Sequence, residues 1–264
     1  MRPRMPRSRG VIVAIVAVLV AAGTLGWAIQ RHQAPPPEPG TAIRLDVRGV
    51  PDGPVPAEFA PGVATMVSPA DDDDPGTRMR VDDGLLTFRP TSSDAAEAYL
   101  STPNLGAPVD QIGARFTFLA SEKPSSSQRP ELDGDAGSIA LVVSAGTENR
   151  VPQVIPPLPI HLVVTPVNWN LAVHDKGATD PLQVIAAGQF AERLVQDGSQ
   201  LYDVQVSIDG PTATISLPDG KTTSVTDSRI SAWRANYATF ELYSVHGGTA
   251  SRGAFQAVWA RSGR

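Results

Sequence analysis

LYDVQVSIDG, residues 201–210, sets Val204, Val206 and Ile208 in strict alternation with Asp203, Gln205, Ser207 and Asp209. Successive side chains of a strand point to opposite faces, so this spacing buries one set and leaves the other to solvent. Asp209-Gly210-Pro211 turns the chain into TATISL, where Ala213, Ile215 and Leu217 repeat the alternation. Leu217-Pro218-Asp219-Gly220 then places proline and glycine where a type I turn favours them. The reading is an antiparallel meander.

Working outward, the same period recurs in AIRLDV from Ala42, GLLTFRP from Gly84, ARFTFLA from Ala114 and SIALVVSA from Ser138. It returns in IHLVVTP from Ile160, ATFELYSV from Ala238 and AFQAVWA from Ala254. So many short alternating runs, in a chain with 23 glycines and 25 prolines, predict an all-β fold of two stacked antiparallel sheets. From residue 41 onward, helix is expected only at Ser93–Leu100 (SDAAEAYL), with Ser93 as N-cap, and at Ala191–Gln196 (AERLVQ).

Residues 1–9 carry four arginines and no acid, and residues 10–29 then run without a charge. About twenty apolar residues of helix span a bilayer core, and arginines before the span hold the N-terminus inside. The expectation is a cytoplasmic segment (1–9), a transmembrane signal anchor (10–29), a proline-rich spacer (30–40) and an extracytoplasmic domain (41–264) on the cell membrane. Trp27 and Arg31 suit the outer interface; a signal peptide cleaved near Val20-Ala21-Ala22 is the alternative. Beyond the four arginines, 27 acidic residues outnumber the remaining bases, which disfavours nucleic acid as a partner. The chain has no cysteine, so disulfides play no part and stability rests on the core.

In VNWNLAVHDKG (residues 167–177) the two-residue period sends Trp169, Leu171 and Val173 to the core, and Asn168, Asn170 and His174 to the opposite face. The same rule turns His161, Glu241, Tyr243 and Gln256 outward from their strands, Gln256 facing away from Phe255 and Trp259. If these strands share one sheet, its outer face is a polar row able to hydrogen-bond sugar hydroxyls, with Tyr243 as a stacking platform. Trp233 and Tyr237, expected in a loop before the strand at Ala238, are further ligand-binding candidates.

The segments IHLVVTPVNWNLAV, VIAAGQFAERLVQDGSQLYDVQVSIDGPTATISLPDG, DSRISAWRANYATFELYS and AFQAVWA resemble the concanavalin A-like lectin/glucanase superfamily, and more closely its membrane-anchored actinobacterial members with laminin G-like jelly rolls. The resemblance extends over most of residues 41–261 and implies a curved two-sheet jelly roll. Superfamily members bind glycans, bind proteins or hydrolyse polysaccharides.

The glucanases of that superfamily place alternating acids on one strand. ELDGDAG offers Glu131, Asp133 and Asp135, but its sixth position is Ala136 and its surroundings have loop composition. Those three are the catalytic candidates of the alternative, hydrolytic reading; Asp133 and Asp135 are also candidates for calcium, as are residues 71–74. The four histidines lack metal-site spacing, and no nucleophile elbow or phosphate-binding glycine motif is present, which removes support for a nucleotide ligand. The expected function is recognition without catalysis and without a required cofactor. A glycan is the first partner and an envelope protein the other.

Overall fold

A computed structural model describes residues 42–68, 79–88, 96–120, 137–144, 160–174, 182–232, 235–244 and 252–263. All belong to one unit, Gly40–Arg264. The first strands are β1 (Ala42–Asp46), β2 (Gly53–Pro54), β3 (Glu58–Ala60), β4 (Val63–Ser68), β5 (Arg80–Asp82) and β6 (Leu85–Thr87). Next come β7 (Ala96–Ser101), β8 (Val109–Leu119), β9 (Ser138–Ser144), β10 (Ile160–Val164), β11 (Asn168–His174) and β12 (Leu182–Gln189). The rest are β13 (Tyr202–Asp209), β14 (Thr212–Ser216), β15 (Thr222–Thr226), the short helix α1 (Ser228–Ala232), β16 (Tyr237–Ser244) and β17 (Arg252–Ser262).

These strands form two antiparallel sheets. Among the described residues one has nine strands, in the order β15-β14-β13-β8-β17-β6-β5-β2 with β1 also on β17, and the other has eight, in the order β12-β11-β10-β9-β16-β7-β4-β3. The meander at residues 202–226 forms as read. Val204 and Val206 are buried, and Ile208 packs against the core from a half-buried position. Gly220 N–H donates to the Leu217 carbonyl at 3.0 Å, closing the expected turn.

The core lies between the sheets. Leu100, Leu141, Leu162, Leu171 and Phe240 come from the eight-stranded layer, and Ile112, Phe116, Phe118, Val204 and Phe255 from the nine-stranded one. Phe240 and Phe255 meet edge to face across the gap, with centroids 6.2 Å apart. Such pairs add to the stabilisation from burying the rings themselves. Gly253 marks a tight approach between the sheets: a β-carbon there would stand 2.5 Å from Ile139 Cγ2.

Two expectations are corrected. Residues 96–101 form β7 instead of a helix, because Ala96, Ala98 and Leu100 are needed on the core side of a sheet while Glu97 and Tyr99 point away. Residues 191–196 form no helix; Leu194 N–H donates to the Pro166 carbonyl and Val195 N–H to the Tyr202 hydroxyl, tying the segment to its neighbours as a loop. The helix found among the described residues is α1, whose first turn is capped by Asp227 accepting from the Arg229 amide. The expected membrane span at 10–29 lies outside the described residues, among which no helix is long and apolar enough to cross a bilayer.

Candidate functional site

The outward face of the eight-stranded sheet collects most of the polar residues singled out above. Its chemistry centres on β16 and β7, where Glu241 stands directly opposite Tyr99 and Tyr243 directly opposite Glu97. The four side chains make a two-by-two block with carboxyls on one diagonal and phenols on the other. The Tyr99 hydroxyl donates to Glu97 in a short hydrogen bond.

On the other side of β16 runs β9, which presents Ala140 opposite Glu241 and Val142 opposite Thr239. These small, buried side chains form a low floor. Across it His161 of β10 brings Nε2 to 3.7 Å from Glu241 Oε2. Thr239 and Ser101 share a hydrogen bond of 3.0 Å beside it. Asn170 lies further along, opposite Val163.

Burial dominates the electrostatics here. Glu241, only 14% exposed, is pushed up to about 8 by loss of water and then by the charge of Glu97. Burial raises the Tyr99 phenol far above its usual range, helped by the Glu241 charge and the bond to Glu97. Tyr243 is raised by burial and by the same two carboxylates. At neutral pH the face therefore offers a protonated carboxyl, two phenols and a second carboxyl as neighbouring hydrogen-bonding groups.

His161, Asn170, Glu241 and Tyr243 stand on this face as the sequence places them. So does Tyr237, which opens β16 opposite Ser144 and shares the phase of Glu241, although a loop position was expected. Asn168 belongs to β11, but its side-chain oxygen accepts from the Thr165 hydroxyl at 2.8 Å and serves the local turn. His174 ends β11 opposite Leu182.

Gln256 is corrected. It lies in β17, in the other sheet, at a bulge where Phe255 pairs with Phe116 and Ala257 with Arg115. The extra residue reverses the phase, so Trp259 points outward on the nine-stranded sheet, not inward beside Phe255. Trp233, Glu131, Asp133, Asp135 and residues 71–74 lie outside the described residues. Among the described residues no group of three or more acidic or histidine side chains could hold a metal.

Glu97 and Tyr99 were missed because AEAYL reads as helix. The usable signal was the alternation of Ala96, Ala98 and Leu100 with Glu97 and Tyr99.

The architecture is a β-sandwich of two antiparallel sheets, a fold shared with solved carbohydrate recognition domains. Among solved structures, the Emp47p carbohydrate recognition domain is similar in fold, with a TM-score of 0.51 and 11% identity over 85% of this chain and 96% of that one. The metal-free Emp46p carbohydrate recognition domain gives 0.51 and 9% over 78% and 91%. No protein-family model matches the chain, and no curated protein matches it significantly.

Proposed function

We propose that this protein is a recognition module, exported and held at the cell membrane by its N-terminal segment, that binds a cell-envelope or extracellular glycan without catalysis. The observation that carries the reading is the block of Glu97, Tyr99, Glu241 and Tyr243 beside the low floor of β9. Phenols supply both stacking faces and hydroxyls, while the carboxyls accept from sugar hydroxyls. The shared fold with two domains named for carbohydrate recognition supports the same reading. An envelope-protein partner is less well supported: among the described residues the large exposed hydrophobics are Val184, Val195 and Leu201, little for the apolar patch such contacts use.

Glycan-array binding by the full chain, run with calcium and with chelator, tests the proposal. At least one glycan class should bind, and Tyr243→Ala should lose it; silence across the array under both conditions would sink the reading. Protease access to a tag after Arg264 in intact cells checks the topology.

A further inference from the structure

The two sheets differ in how they handle charge. The strands of the nine-stranded sheet contain five arginines, Arg44, Arg80, Arg115, Arg252 and Arg261, and five aspartates. Ion pairs are formed there by Arg80 with Asp82 at 2.7 Å, Arg115 with Asp203 at 2.8 Å and Arg261 with Asp110 at 2.9 Å. The eight strands of the other sheet contain no arginine, lysine or aspartate. Yet Glu97 and Glu241 stand diagonally on its outward face, with His161 as the basic group beside them.

We propose that this face selects a cationic sugar, one bearing a free ammonium group, which sits in the Glu97–Tyr99–Glu241–Tyr243 block. The proposal rests on the glycan-binding reading above and names the class of glycan. An ammonium has three donors for the two carboxylates, and such charge-assisted bonds are roughly twice as strong as neutral ones. The Tyr99 and Tyr243 rings add an attraction for the cation. Glu97 keeps acceptor capacity beyond the single bond from Tyr99. His161 Nε2 stands 3.7 Å from Glu241 Oε2, longer than a hydrogen bond.

A buried carboxyl beside a second carboxylate holds a proton until a cation replaces it. An ammonium supplies that charge and the proton leaves to solvent. A neutral sugar supplies none, and an anionic sugar meets Glu97.

The test is calorimetry on the full chain with a glucosamine oligomer against an N-acetylglucosamine oligomer of equal length. A pH of about 5.5, about two units below the ordinary α-amino value near 7.7, keeps the sugar amine protonated, so that the proton read by the heat comes from the protein. The glucosamine oligomer should bind about tenfold tighter or more. Its binding heat should change with the buffer's ionisation enthalpy, reporting a released proton. Glu97→Gln and Glu241→Gln should each shrink the ratio to about threefold or less, while Asp203→Asn on the other sheet leaves it unchanged. Equal or tighter binding of the acetylated oligomer overturns the selection and leaves glycan binding standing. A buffer-independent heat in the unaltered chain overturns it too, whatever the variants do. Failure of both oligomers together with a silent array removes the glycan reading itself.

Discussion

Gly113 of β8 and Trp259 of β17 stand directly opposite each other, and a β-carbon on Gly113 would lie 2.5 Å from the indole Cε2. The ring lies over the glycine and its Nε1–H donates to Gln205 Oε1 at 3.1 Å, while the Arg44 guanidinium sits 5.2 Å from the ring centroid. Real β-carbons do not approach that closely, so Gly113→Ala must lift the indole off the sheet and break its bond to Gln205. The expected cost is about 1–3 kcal/mol, with a red-shifted tryptophan emission in the folded state, read by urea titration and fluorescence. An unchanged midpoint and unchanged emission would remove this account of the glycine.

Between the sheets, Gly253 fills the equivalent role against the aliphatic core. Its missing β-carbon leaves room for Ile139 Cγ2, and the Ser138 carbonyl at 3.3 Å limits any sideways escape. Gly253→Ala should therefore destabilise by about 1–3 kcal/mol through overpacking. In a double-mutant cycle, Ile139→Ala should recover part of that loss, giving a coupling of at least about 0.5 kcal/mol. Simple additivity would show that the two sites do not share the space.

The alternation in residues 202–226 was legible because each strand has one wet and one dry face, and Val204, Val206, Ala213 and Ile215 are buried accordingly. Sheet membership was not legible, since a period of two carries no information about neighbours. Gln256 was assigned to the wrong sheet for that reason, and Trp259 to the wrong face because a bulge leaves no mark in the pattern. The AEAYL run misled in another way: alanine, glutamate and leucine favour helix locally, and burial between β4 and β16 overrides that preference. His161 and Glu241 each read as outward-facing, but their diagonal approach across β9 depends on strand order and on the small side chains of Val142, opposite His161, and Ala140, opposite Glu241.

The two asparagines of β11 should separate stability from binding. Asn168 is engaged by Thr165, whose hydroxyl also accepts from the Asn168 amide at 3.0 Å, so Asn168→Ala should cost about 1 kcal/mol in unfolding free energy. Asn170 lies half-buried on the outward face, opposite Val163 and Ala187. Asn170→Ala should leave the unfolding midpoint within about 0.5 kcal/mol of the unaltered protein and weaken glycan binding by roughly 0.5–1.5 kcal/mol. Thermal melts and calorimetry on the two variants decide it, and a reversed pattern would move the site away from Asn170.

Glu241 makes stability depend on pH in a direction opposite to that of the surface aspartates. Its carboxyl is pushed up to about 8 from 4.5, so the folded protein holds the proton more tightly than the unfolded chain. The stabilisation linked to that proton is complete below the unfolded value and is lost as pH rises toward 8, with a slope of up to about 1.4 kcal/mol per pH unit. Asp227, by contrast, is held at about 2 by the Arg229 guanidinium and amide, and its contribution is lost only as pH falls below the ordinary 3.8. Asp227 keeps its charge in both states between pH 5 and 8 and so contributes no pH dependence there. Glu241→Gln keeps the shape of the protonated acid without its titration. The unfolding free energy of the unaltered chain should therefore fall relative to the variant as pH is raised from 5 to 8, with the variant the more stable of the two at pH 8. A difference curve that stays flat across that range would mean that the carboxyl is solvated in the folded protein.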